Sequence, residues 1–162
     1  SSSSAASDVY KRQGLHLVAH VGKGADITAE FTVTQDHQGA PGLAHGGLLS
    51  LAFDEALGKL MWLLRAPAVT ARLETDFLKP VPIGTKLYIT ARITGQVNRK
   101  VYSEAEGRLG GPDGEVAVRA ASLFVIVPMK HFLENAPADY LEELRKNPDV
   151  LRFVDPEFDI NP

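Results

Sequence analysis

The chain has 162 residues, a formal net charge of −3 and 44% apolar residues. That length suits one domain with ragged ends, and that apolar share supports a packed core and argues against a disordered chain. No basic stripe points to nucleic acid, no apolar run reaches the roughly 18 residues of a membrane span, and the absence of cysteine excludes disulfides, thiolate metal sites and a cysteine nucleophile.

The opening run SSSSAASDVYKRQ lacks the charged-then-apolar order of a secretory signal. Residues 1–13 are expected to be a disordered or appended tail, and the location cytoplasmic. Alternation then begins. Leu15, Leu17, Ala19 and Val21 share one parity, and after the GKGAD turn so do Ile27, Ala29, Phe31 and Val33. Period two around a glycine-rich turn predicts a β-hairpin. The breaker-rich DHQGAPG follows, and then a helix from Gly46 to about Leu64, closed by Pro67.

Four more strands are predicted. Val69, Ala71, Leu73, Thr75 and Phe77 alternate with Thr70, Arg72, Glu74 and Asp76. After KPVPIG, Leu87, Ile89, Ala91 and Ile93 form the apolar side of the next strand, and Val101, Ser103 and Ala105 that of the one after. GGPDGE turns into EVAVRAASLFVIVP, the most apolar strand. With no helix between these strands, a doubly wound α/β sheet is excluded. The fold class is α+β, with a curved antiparallel sheet of about six strands wrapped around one long helix. Residues 14–128 make the domain. Residues 129–162 make a C-terminal extension with one short surface helix near Ala138–Lys146, where LEELRK mixes charges.

The long helix is apolar nearly all round, as a buried helix should be. At 100° per residue, Gly47, Ser50, Asp54 and Gly58 form a narrow exception on one stripe. Small residues there either let a backbone pack closely while Asp54 reaches water, or leave room for a ligand or a partner helix. An aspartate on such a helix is costly unless paired or wetted. Glu55 and Lys59, spaced i, i+4 with Glu first, are expected to form an edge ion pair. At the helix start, His45-Gly46-Gly47 leaves backbone N–H groups unshielded where the macrodipole is positive, a setting for an anion or a developing oxyanion.

PGLAHGG, Asp54, Thr70-Ala71 and LKPVPIG together resemble the signature of hotdog-fold acyl-CoA thioesterases, in particular the PaaI-type and mitochondrial thioesterase-superfamily members. The resemblance covers residues 14–128. It implies the hotdog fold and hydrolysis of an acyl-CoA or acyl-carrier thioester to acid and thiol. It implies Asp54 as base or nucleophile, the Gly46 N–H as carbonyl donor, Thr70 as a hydroxyl assisting Asp54, and His45 as a loop anchor near the substrate. Many relatives carry Asn or Gln six residues before the histidine. Here that position is Gly39, so either the neighbouring Gln38 supplies the second donor or the site lacks one.

Gly46 and Asp54 are eight residues apart on one helix, which is roughly 12 Å. One thioester carbonyl cannot touch both. If both act, they belong to different chains, and an antiparallel helix pair on a two-fold axis supplies two such sites. A homodimer is therefore expected, with a dimer of dimers as a further possibility. No cofactor is expected beyond the coenzyme A of the substrate, and no metal, because the histidines do not cluster at ligand spacings. Lys79, Arg99 and Lys100 are candidate contacts to the phosphorylated end of coenzyme A and equally suit ordinary surface cations, and Gly47 is a candidate substrate contact. Phe53 and Phe77, with Leu49, Leu57 and Met61, are candidate walls for an aliphatic or aryl acyl group, and all of them also suit a plain core. The alternative function is a hotdog protein that binds acyl-CoA without hydrolysing it. A dehydratase ranks below both, because His45 sits in the helix-start setting and not opposite a carboxylate.

Overall fold

The computed structural model describes residues 17–21 and 26–146. The expected tail lies outside the described residues, as do Leu15, His16, most of the GKGAD turn and residues 147–162. The strands are β1 (Val18–Val21), β2 (Ile27–Thr32), β3 (Ala68–Phe77), β4 (Lys86–Val97), β5 (Lys100–Leu109) and β6 (Val116–Ile126). They form one antiparallel sheet in the order β1-β2-β4-β5-β6-β3. A single long helix, α1 (Gly46–Leu63), joins β2 to β3 and packs on the inner face. This is the α+β architecture that the alternation predicts.

The core forms where the alternating apolar sides of the strands meet the helix. Phe31, Leu87, Ile89, Val101 and Val118 of the sheet and Phe53, Leu57 and Leu60 of α1 are fully buried. Each such side chain contributes about 1.5–3 kcal/mol relative to exposure. Phe53 fits the sheet closely because Gly107 lies beneath it, where a Cβ would stand 2.7 Å from the Phe53 Cζ. Among the described residues two hydroxyls are buried, those of Ser103 and Ser122, and they hydrogen-bond each other at 2.6 Å across β5 and β6. That pairing removes the cost of dehydrating them.

The helix ends in a Schellman turn. Arg65 takes the left-handed conformation (φ 50°), its N–H donates to the Trp62 carbonyl, and the Ala66 N–H donates to that of Met61. Pro67 then releases the chain into β3.

On β3 the structure corrects the predicted alternation. Thr70 pairs with Phe124, but Arg72 pairs with Leu123, so Ala71 is the extra residue of a β-bulge. The bulge reverses the parity. Ala68 and Thr70 before it share the helix-facing side with Leu73, Thr75 and Phe77 after it, while Val69 and Ala71 turn outward. β3 is also an edge strand, with β6 on one side and no strand on the other among the described residues.

Beyond the sheet, α3 (Ala138–Lys146) falls where predicted. A preceding helix, α2 (Met129–Asn135), is not predicted, because its seven residues show too few turns for a period to register. No helix among the described residues is long and apolar enough to cross a membrane.

Candidate active site

The stripe on α1 lies along β3, and its residues meet that strand in antiparallel order. The Thr70 hydroxyl donates to Asp54 Oδ1 at 2.9 Å. One turn back, the Ser50 hydroxyl approaches Thr75 Oγ1 at 3.4 Å. At the helix start the Phe77 ring lies against Gly46, its Cζ 3.4 Å from where a Cβ would stand. Asp54 is half-buried, and its Oδ2 takes no hydrogen bond among the described residues. The bulge at Ala71 turns Thr70 inward, because a regular strand would send Thr70 and Leu73 to opposite faces.

Glu55 points away from this seam. Burial pushes its carboxyl above the usual range, the Asp54 charge adds to that, and Lys59 opposes both. The expected attraction to Lys59 is present, but burial outweighs it.

At the helix tip the second glycine of HGG has a steric reason. His45 is the N-cap, and its Nδ1 accepts the Gly47 N–H at 2.9 Å. A Cβ on Gly47 would come within 3.1 Å of that ring. The Gly47 donor is therefore taken by His45, whereas the Gly46 N–H meets no acceptor among the described residues.

The loop before the helix explains the departure at Gly39. A Cβ there would lie 2.8 Å from the His45 Cα, so an amide side chain does not fit. The loop is closed by the Gly39 N–H on the Leu43 carbonyl and the His45 N–H on that of His37. Gln38 keeps its carbonyl on the loop, where Oε1 accepts the Gly42 N–H at 3.0 Å. Its amide N–H groups meet no acceptor among the described residues.

Beside the tip is a cleft of about 390 Å³. Asp36, His37 and Gln38 line one side, and His45, Gly47, Leu48 and Leu51 the other. Sequence reasoning misses Asp36 among the polar residues of the cleft, and also His37. The signal is Thr34 three residues before it, since the His37 Nδ1 accepts the Thr34 N–H in a capping box. A second cleft, of about 410 Å³, is lined wholly by residues of α2, α3 and their connection, none of them candidates.

The remaining candidates divide. Phe53 has no exposed surface and belongs to the core, with Leu49, Leu57 and Met61. Phe77 is 51% exposed beside Gly46. Lys79, near that end of β3, pairs with Glu115 at 2.8 Å. Arg99 and Lys100 lie at the β4–β5 turn, by the opposite end of the sheet, where Lys100 pairs with Val125 and Val125 with Val69. The positions paired with Val69 and Asp76, Val125 and Arg119, are six steps apart, which is about 20 Å. Lys79 and the Arg99–Lys100 pair thus cannot hold one phosphate group within a single chain. Among the described residues no group of three or more His, Cys, Asp or Glu could hold a metal ion.

Residues 41–115, from the loop before α1 to the turn before β6, match the model of the thioesterase superfamily. That match covers less than half of the chain. The chain is 28% identical over 88 residues to the acyl-coenzyme A thioesterase THEM4 of Xenopus laevis, covering 54% of the chain and 39% of that protein. To THEM4 of Bos taurus it is 32% identical over 84 residues, covering 43% of the chain and 34% of that protein. The matched segment thus spans under two-fifths of either relative. Among solved structures it resembles the thioesterase superfamily protein RHA08564 at a TM-score of 0.62 and 29% identity, covering 67% of this chain and 55% of that one. It also resembles smu.793 of Streptococcus mutans bound to acetyl CoA, at a TM-score of 0.63 and 18% identity, covering 71% and 90%. The latter likeness is one of fold.

Proposed function

We propose that the chain hydrolyses acyl thioesters of coenzyme A, or of an acyl carrier, to free acid and thiol. The observation that carries this reading is the Thr70 hydrogen bond to Asp54 Oδ1. It orients the carboxylate and leaves Oδ2 for a water molecule or for direct attack. A carboxylate oriented in this way can act as base or nucleophile. As base it takes a proton from water while the hydroxide oxygen adds to the thioester carbon. The C–S bond then breaks, and the proton passes to the departing thiolate.

The developing oxyanion needs a donor, and Gly46 of the same chain is roughly 12 Å from Asp54 along the helix. The free edge of β3, ten residues long, suggests where that donor comes from. Antiparallel pairing of two β3 strands about Glu74, counted through the bulge at Ala71, sets Thr70 opposite Phe77 of the partner subunit. Because Asp54 sits at Thr70 and Gly46 at Phe77, Asp54 then lies beside Gly46 of the partner subunit, twice per dimer. The exposed Leu51 and Trp62 on the outer side of α1, 42% and 50% accessible, suit a further pairing of dimers. THEM4, named as an acyl-coenzyme A thioesterase, supports the carrier.

The test is release of free thiol from a panel of acyl-CoA esters of graded chain length. Turnover by the native chain that is lost in Asp54→Asn supports the reading. Binding without turnover would favour the alternative of an acyl-CoA-binding protein.

A further inference from the structure

We propose that Arg72 and Asp76 form ion pairs between two copies of this chain, and that these pairs hold the two β3 edges in the one register that completes the site. This rests on the reading of the chain as a hydrolase whose site two subunits share.

Three charges stand at alternate positions on the outer side of the β3 edge, Arg72, Glu74 and Asp76, and all three are exposed. Asp76 has no ion pair or hydrogen bond among the described residues. Arg119 lies directly across from it on β6 but turns to Glu106, at 3.3 Å. Arg72 faces Leu123 on β6 and meets Glu74 at 3.5 Å, an ion pair without a hydrogen bond. The edge thus carries a carboxylate and a guanidinium with donors and acceptors unused. They stand beside backbone groups that have no partner strand among the described residues.

Which strand such an edge accepts is a matter of register. Sliding one antiparallel copy along the other by two residues, about 7 Å, keeps the same side chains turned toward α1. Facing alone therefore does not choose among such slides, but charge does. Counted through the bulge at Ala71, pairing about Glu74 sets Arg72 opposite the partner's Asp76 twice, and the two Glu74 side chains meet at the axis. Pairing about Thr75 sets Glu74 opposite the partner's Asp76 twice, and like charges directly opposite are unfavourable. Pairing about Leu73 matches Arg72 with the partner's Glu74 and leaves Asp76 against the partner's Val69. The register about Glu74 brings Asp54 to the partner's Gly46, whereas the one about Leu73 brings it to the partner's Ser50, because Ser50 meets Thr75. Asp76 is therefore the residue that favours the catalytic register, and Glu74 favours the slip.

The experiment mixes two variants, Arg72→Glu and Asp76→Lys, and counts mixed and unmixed dimers by native mass spectrometry. Both positions are exposed and lie outside the catalytic groups. In the register about Glu74, each variant sets like charges opposite each other in its own dimer, while a mixed dimer has two attractive pairs. Each variant alone should dimerise about tenfold more weakly than the native chain. Two such losses together should leave about nine-tenths of the dimers mixed. In the other two registers a mixed dimer is the average of its parents, so about half of the dimers would be mixed, and that result overturns the pair. Glu74→Gln should tighten the dimer about threefold by removing the contact at the axis, and weaker dimerisation overturns the register. A native chain that stays monomeric overturns it as well. Thiol release from an acyl-CoA ester is read in parallel. Mixed dimers in excess without turnover keep the charge pair and discard the hydrolase reading. Asp54-dependent turnover with half the dimers mixed keeps the hydrolase and discards the pair.

Discussion

The two ends of the seam between α1 and β3 are built in opposite senses. At the Asp54 end the helix offers an acceptor and the strand supplies a donor, Thr70, to orient it. At the Gly46 end the helix offers a backbone donor, and the neighbouring acceptors are already turned onto the loop. On the proposed reading, an acceptor half and a donor half on one rigid helix, roughly 12 Å apart, are each incomplete for acyl transfer. The difference suggests that the helix is the spacer that keeps a chain from using its own two halves together.

The strongest way to break that comparison is to disable each half separately. Asp54→Asn should lower kcat by about 10³- to 10⁴-fold, read as thiol release from the best acyl-CoA ester. Gly46→Pro removes only the donor half. Proline is tolerated at the first helical position, and the extended His45 before it (φ −68°, ψ 129°) already suits a following proline. This variant should fold and lose about 10²- to 10³-fold in kcat. Mixing the two dead proteins after subunit exchange should then recover about a quarter of native activity, since half the dimers are mixed and each has one intact site. No recovery, with exchange shown by native mass spectrometry, would sink the two-chain site.

Smaller substitutions sharpen the contrast. Thr70→Val preserves shape and removes the hydrogen bond to Asp54. It should cost about tenfold in kcat, the weight of one hydrogen bond to a charged group, with little change in KM. Glu55 lies off the seam and should affect stability without serving the chemistry. Its folded-state carboxyl holds its proton more tightly than the unfolded chain does. Its contribution is therefore fully present below the ordinary value of 4.5 and is lost as pH rises through the raised folded value. Glu55→Gln should raise the Tm by about one degree at pH 7 and leave it unchanged near pH 4, measured by calorimetry.

Much of the fold was legible because its signals repeat. Ile27 to Val33 and Leu87 to Ala91 keep a strict period of two, and α1 runs long enough for its stripe to stand out against an apolar surround. Asp54 was legible for the same reason, as a charge where the pattern allows none. What escaped was local. The bulge at Ala71 has no glycine or proline to announce it, so alternation placed Thr70 on the wrong face, and only the resemblance linked it to Asp54. The empty position at Gly39 was visible as a departure, but its cause, contact with the His45 backbone, is a three-dimensional fact. Phe53 looked equally suited to a ligand wall or a core until Gly107 was found beneath it.

The bulge at Ala71 carries an evolutionary implication. Losing that single codon would straighten the strand and force a choice between keeping its first residues or its last ones turned toward the helix. Such a lineage would retain its shape and the same side chains while its carboxylate lost the neighbouring hydroxyl, a short mutational route from the proposed hydrolase to a quiet binding protein on the same scaffold.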